Sequence, residues 1–260
     1  MIGAIIGDIV GSRFEFNNTD KKDFKLFTKD CDFTDDTICT VAVADAILRN
    51  VSFKDSLLDW CRRYPNVPYG RAFTEWIYSD THEAYNSFGN GAAMRVSPCA
   101  AAPSDAEALR WAYESAVCTH NHVEGVIGAV TTVRLIRELN QYDLSPMRNC
   151  EKIVRYAYGY DWRKHLPRQN DFDVTSQGCV PLAFHIITRS TDFEDAIRNA
   201  VAYGGDSDTL AAIVGSMAEA YWGISDELRN AALSYLPREM QDVYFEFNDK
   251  FKLRYQIQLR

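Results

Sequence analysis

Two short acidic clusters, Thr34-Asp35-Asp36-Thr37 and Asp206-Ser207-Asp208-Thr209, constrain this chain more than any other feature. Each opens an apolar run with helical spacing, and they lie at opposite ends of the sequence. A fold that brings them together must neutralise four like charges. Carboxylates flanked by threonines are hard-oxygen donors suited to Mg²⁺, Mn²⁺ or Ca²⁺, so a pair of such cations is the natural solution. Helix capping alone explains one carboxylate per helix, because an acid favours the positive end of the helix dipole. It does not explain paired acids with a threonine repeated in both places.

The remaining pattern is helical almost throughout. Ser104-Asp105-Ala106-Glu107 and Thr191-Asp192-Phe193-Glu194 read as capping boxes with Ser104 and Thr191 as the caps, and Ser145-Pro146 places a proline at a first helical position. Ala108 to Cys118, Ala196 to Tyr203 and Leu210 to Trp222 are apolar at three- and four-residue spacings. Gly204-Gly205 ends one helix and turns the chain into the second acidic cluster. Strand-like alternation is confined to residues 253–259, where a strand and a tail are equally compatible. No linker divides the chain, so residues 1–260 are expected to form a single all-α domain of about ten helices.

Net charge is −8 with no basic run, which argues against a surface for nucleic-acid backbones except where a nucleic acid is itself the modified acceptor. The seven cysteines are scattered and form no Cys-x-x-Cys pair, as expected of reduced thiols in a cytoplasm. The start, Met-Ile-Gly-Ala-Ile-Ile-Gly-Asp, has no basic region, and Asp8 interrupts its apolar run. It is read as neither a signal peptide nor a membrane span, and a soluble monomer is expected.

Three further stretches can carry chemistry. Gly3, Gly7 and Gly11 line one helix face and permit close backbone approach; a continuous helix would set Asp8 and Glu15 on nearly the same face. In Asn86-Ser87-Phe88-Gly89-Asn90-Gly91-Ala92-Ala93-Met94-Arg95 the glycines free backbone N–H groups, with Ser87 and Asn90 as side-chain donors, the physics of a phosphate cradle or of a plain turn. His120 lies at a helix junction in Cys118-Thr119-His120-Asn121-His122. Zinc is disfavoured there because no cysteines sit at ligand spacing, and no nucleophile elbow occurs.

Taken in order, Gly7-Asp8 with Gly11 and Glu15, Thr34 to Thr37, Gly89 to Arg95, Thr119-His120 and Gly205 to Thr209 resemble the ADP-ribosylglycohydrolase family. The resemblance spans most of the chain. It implies an all-α fold with a cleft over two divalent cations, Mg²⁺ or Mn²⁺, and metal-dependent hydrolysis of the bond linking ADP-ribose to a protein side chain or small molecule. Under it, Thr34, Asp35, Asp36, Asp206, Asp208 and Thr209 look like metal ligands, with Glu15, Asp35 and Asp36 as candidate catalytic acids. Ser87, Phe88, Gly89, Asn90 and Gly91 look like the diphosphate loop, and His120 like a distal ADP-ribose contact. Two rival readings keep the same residues: a catalytically silent ADP-ribose-binding module, and a metal-dependent phosphohydrolase.

Overall fold

The computed structural model describes residues 1–141 and 145–251. Among the described residues there are thirteen α-helices, three short 3-10 turns and one isolated β-bridge, so the fold is all-α. In chain order the helices are α1 (Ile2–Gly11), α2 (Asp35–Arg49), α3 (Phe53–Arg63), α4 (Arg71–Tyr78), α5 (Gly91–Arg95), α6 (Asp105–Val117) and α7 (Val123–Leu139). They continue as α8 (Pro146–Tyr158), α9 (Ser176–Ile187), α10 (Phe193–Tyr203), α11 (Ser207–Trp222), α12 (Asp226–Leu233) and α13 (Arg238–Phe251).

The core is built around α11, buried from Ser207 to Ala220, with α1, α7, α9 and α10 packed on it. Apart from Asp8, α1 is apolar on every side, and it is buried along its whole length, as a helix without a solvent face must be. Its glycine stripe explains the closeness. A Cβ on Gly3 would come within 2.2 Å of the Gly215 carbonyl oxygen, one on Gly7 within 2.0 Å of the Ala211 oxygen, and one on Gly11 within 2.5 Å of the Asp208 Cα. Only glycine lets these two backbones meet. The pairing joins the chain's first helix to its eleventh, and so carries Asp8 to Asp208.

Helix starts follow capping chemistry, with one shift from expectation. Ser104 accepts from the Glu107 amide, and Pro146 stands at the first position of α8. At α10 the cap is Asp192, which accepts from the Asp195 amide at 2.8 Å, rather than Thr191. Aspartate caps at least as well as threonine, and Thr191 instead donates its amide to Asp195. The count of thirteen exceeds the expected ten because α4, α5 and α12 are at most eight residues long, too short for periodicity to declare. The 253–259 stretch lies outside the described residues.

Candidate active site

The floor of the site is where three helix termini converge. α1 ends just after Asp8, and α2 and α11 begin at the two acidic clusters, so the positive ends of two helices face the carboxylates. Asp8 is fully buried. It accepts from the Thr34 amide at 2.9 Å, the Thr34 hydroxyl at 2.7 Å and the Thr37 amide at 3.0 Å. Asp36 accepts from the Thr209 hydroxyl at 3.1 Å, tying the first cluster to the second. Asp206 accepts from the Asn90 side chain at 2.7 Å. Carboxylate oxygens of Asp8, Asp36 and Asp208 lie within 4.8 Å of one another, as do those of Glu15, Asp206 and Asp208. Asp208 belongs to both groups.

Burial without counter-charge sets the electrostatics. No ion pair among the described residues involves Asp8, Glu15, Asp35, Asp36, Asp206 or Asp208. Burial pushes Asp8 up to about 6 despite its hydrogen bonds. Burial and the charges of Asp206 and Asp8 push Glu15 up to about 7, and burial with Asp8 and Asp206 pushes Asp35 up to about 8. Burial likewise drives Asp36 and Asp208 well above the usual carboxylate range. One oxygen of Asp36 and one of Asp208 are buried and accept no hydrogen bond among the described residues. Unpartnered buried oxygens, an all-oxygen donor set and no local cation together fit a divalent metal.

Above the floor opens a cavity of about 380 Å³. Glu15, Asp35, Asp206, Asp208 and Thr209 line its base, and Ser87, Gly89, Asn90, Gly91, Arg95 and His120 line one wall. That wall is held from two sides. The Ser176 amide donates to the Phe88 carbonyl at 2.9 Å and the Asn90 amide to the Val174 carbonyl at 2.8 Å, while a Cβ on Gly125 of α7 would press within 2.7 Å of the Ser87 carbonyl. His120 is 5% exposed; burial and the Arg95 charge hold it well below the usual imidazole range.

The expected residues divide by position. Asp36, Asp206, Asp208 and Glu15 meet in the two carboxylate groups, whereas Asp35 lies outside both and faces the cavity. The Thr34 and Thr209 hydroxyls are turned toward carboxylates, on Asp8 and Asp36. The cradle is partly closed on itself, since Gly89 donates to the Ser87 hydroxyl at 3.1 Å and Asn90 uses its side chain on Asp206. Phe88 stays exposed, edge-on to His122, and it is His122 that caps α7 through the Glu124 amide. The Asp8–Glu15 helix is not continuous: α1 stops at Gly11 and a 3-10 turn carries the chain on to Glu15.

Asp8 and Asn18 were not among the expected site residues. Asp8 has a sequence signal, a single acid inside an otherwise apolar helix. Asn18 has none. Its side chain donates to the Gly205 carbonyl at 3.0 Å and accepts from the Gly205 amide at 2.8 Å, bracketing the segment after Glu15 to the turn before Asp206.

The family model for ADP-ribosylglycohydrolases matches residues 1–256. The chain is similar to the ADP-ribosylhydrolase ARH3 of Xenopus tropicalis, 23% identical over 86% of this chain and 86% of that protein. It is also similar to the ADP-ribosyl-(dinitrogen reductase) glycohydrolase of Rhodospirillum rubrum, 25% identical over 86% of this chain and 85% of that protein. A solved structure of an ADP-ribosylglycohydrolase-related protein complex aligns with a TM-score of 0.72 over 95% of this chain and 96% of that one; at 22% identity the likeness is one of fold.

Proposed function

This chain belongs to the ADP-ribosylglycohydrolase family, a family of ADP-ribosyl hydrolases, and we propose that it cleaves the glycosidic bond between ADP-ribose and an acceptor, releasing ADP-ribose. The observation that carries the reading is the pair of overlapping carboxylate groups sharing Asp208 at the base of a cavity large enough for a sugar.

In this reading Asp8, Asp36 and Asp208 hold one divalent cation and Glu15, Asp206 and Asp208 a second, with Mg²⁺ or Mn²⁺ fitting the all-oxygen set. Bound there, the ions supply Lewis-acid polarisation and charge neutralisation next to the distal ribose. Thr34, Thr209 and Asn90 orient Asp8, Asp36 and Asp206 through the hydrogen bonds described. Asp35 faces the same space from the start of α2 and serves as a further polar contact for the ribose. Glu15, half-buried at the edge of the second group and lining the cavity base, is placed to exchange a proton with water or the departing acceptor, which suits it to general acid–base work. Ser87, Gly89 and Gly91 with His120 receive the diphosphate, while Phe88, between two lining residues, offers an exposed ring. The partner is an ADP-ribosylated protein or small molecule. No helix among the described residues is long and apolar enough to cross a membrane.

A panel of defined mono-ADP-ribosylated substrates, assayed with Mg²⁺ and with Mn²⁺, tests the reading. Free ADP-ribose is the expected product and Asp206→Ala abolishes it. AMP or inorganic phosphate would point to a phosphohydrolase instead, and ADP-ribose binding without turnover to a silent binding module.

A further inference from the structure

Arg95 is the most deeply buried charge on the cavity wall, 1% exposed, and no carboxylate pairs with it among the described residues. Its Nη2 donates to the Ser115 carbonyl at 2.8 Å and to the Thr119 hydroxyl at 2.7 Å. The Thr119 hydroxyl in turn lies 2.7 Å from Nδ1 of His120. Thr119 is wholly buried, and its hydroxyl also reaches the neighbouring Cys118 thiol, a much weaker acceptor than an imidazole nitrogen and one whose own hydrogen goes to the Ser115 carbonyl. The strengths of these donors and acceptors then set the direction of each bond. A guanidinium only donates, so the hydroxyl oxygen accepts from Arg95 and its single hydrogen is left for Nδ1. Were Nδ1 itself protonated, two hydrogens would converge on one oxygen while the hydroxyl's own hydrogen was left with the weak thiol acceptor in a dry site. That arrangement is disfavoured by roughly ten-fold or more.

We infer that Arg95 and Thr119 are positioning residues that lock His120 in the form carrying its proton on Nε2, presented as a hydrogen-bond donor to an anionic oxygen in the cavity. Nε2 lies against the glycine loop: a Cβ on Gly91 would be 3.0 Å from it and one on Gly89 3.5 Å. It has no hydrogen-bond partner among the described residues. Arg95 adds an uncompensated positive charge behind the ring, and its buried Nε is also unpartnered. A neutral imidazole cannot offer charge, so the relay separates the two tasks. His120 supplies the direction of the bond and Arg95 supplies the field. The anion expected here is the diphosphate of ADP-ribose, a choice that rests on the proposed function; the relay itself rests only on the hydrogen-bond geometry.

The test is a long-range ¹H–¹⁵N correlation spectrum of histidine-labelled full-length protein, with His120 assigned by His120→Gln, alongside titration with ADP-ribose. The expected spectrum shows Nδ1 unprotonated and Nε2 protonated. Thr119→Val should mix the two forms and weaken ADP-ribose binding about ten-fold, Thr119→Ser should restore both, and Mn²⁺ affinity should hold in each. Protonated Nδ1 in the wild-type spectrum overturns the inference whether or not the valine variant folds. So does unchanged ADP-ribose affinity in a folded Thr119→Val protein. If wild-type protein shows the Nε2–H form but fails to bind ADP-ribose, the ligand assignment falls and the relay stands.

Discussion

Replacing Gly7 by alanine tests whether the glycine stripe builds the site. The new Cβ would meet the Ala211 carbonyl oxygen at 2.0 Å, the Ala211 carbon at 2.3 Å and the Ala212 nitrogen at 2.6 Å. All three are backbone atoms of α11, so no side chain can swing aside. Reaching an ordinary contact of 3.4 Å requires α1 to retreat by about 1.4 Å, the difference from 2.0 Å. Alanine returns about 1 kcal/mol of helix propensity. Against this stand an overpacking cost near the top of the usual range of about 1–3 kcal/mol and the dispersion lost along a helix buried at every position. The expected net loss is about 2–4 kcal/mol, read as a lower midpoint in urea. Asp8 moves with α1 away from Asp208, so Mn²⁺ affinity should fall by at least about ten-fold. Gly70 is the control: a Cβ there meets nothing within 4 Å, and Gly70→Ala should cost under about 1 kcal/mol. If Gly7→Ala unfolds at the wild-type midpoint, α1 is not seated on α11 by glycine contact and the account of the floor fails.

Stability and pH should be linked in an unusual sense. In chelator, Asp8, Glu15 and Asp35 titrate at about 6, 7 and 8 in the folded state, above their ordinary values of 3.8, 4.5 and 3.8. Their contribution is therefore fully present below about pH 4 and is lost as pH rises through about 6 to 8. Melting temperature in chelator should drop over that window and be restored by Mn²⁺ at about pH 8 but not at about pH 5; a rise in chelator would contradict the charge balance described. Glu15→Gln should slow ADP-ribose release by about a hundred-fold or more with ADP-ribose affinity kept, and equal turnover would remove Glu15 from the chemistry. Asn90→Ala frees the Asp206 carboxylate and should weaken Mn²⁺ binding by about ten-fold, measured by titration; an unchanged affinity would mean that the 2.7 Å bond does not orient a ligand.

The helical class and the long buried helices were legible because period and caps are local: α6, α10 and α11 coincide with the apolar runs read from the sequence. The meeting of the two acidic clusters was legible as a charge problem, since paired acids beside threonines ask for neutralisation. Positions decided by long-range packing were not. Asp35 and Asp36 are neighbours in sequence, yet one faces the cavity and the other lies beneath it, because successive residues on a helix point about 100° apart. Asn90 looked like a free donor and is committed to Asp206, 116 residues away. Asn18, an exposed asparagine in an irregular segment, carries no local mark of its bond to Gly205.

The pairing of α1 with α11 also bears on how the protein is made. The partner surface for Gly3 is Gly215, about two hundred residues further along the chain. At ordinary rates of synthesis, on the order of ten to forty seconds separate the two on the ribosome. Throughout that interval the Ile-rich first helix leaves the exit tunnel with no groove to enter, and Asp8 has no cluster to join. The nascent chain thus leaves this apolar segment without its partner surface for the whole of that interval. Under the proposed function, a metal could be taken up only once α11 has emerged.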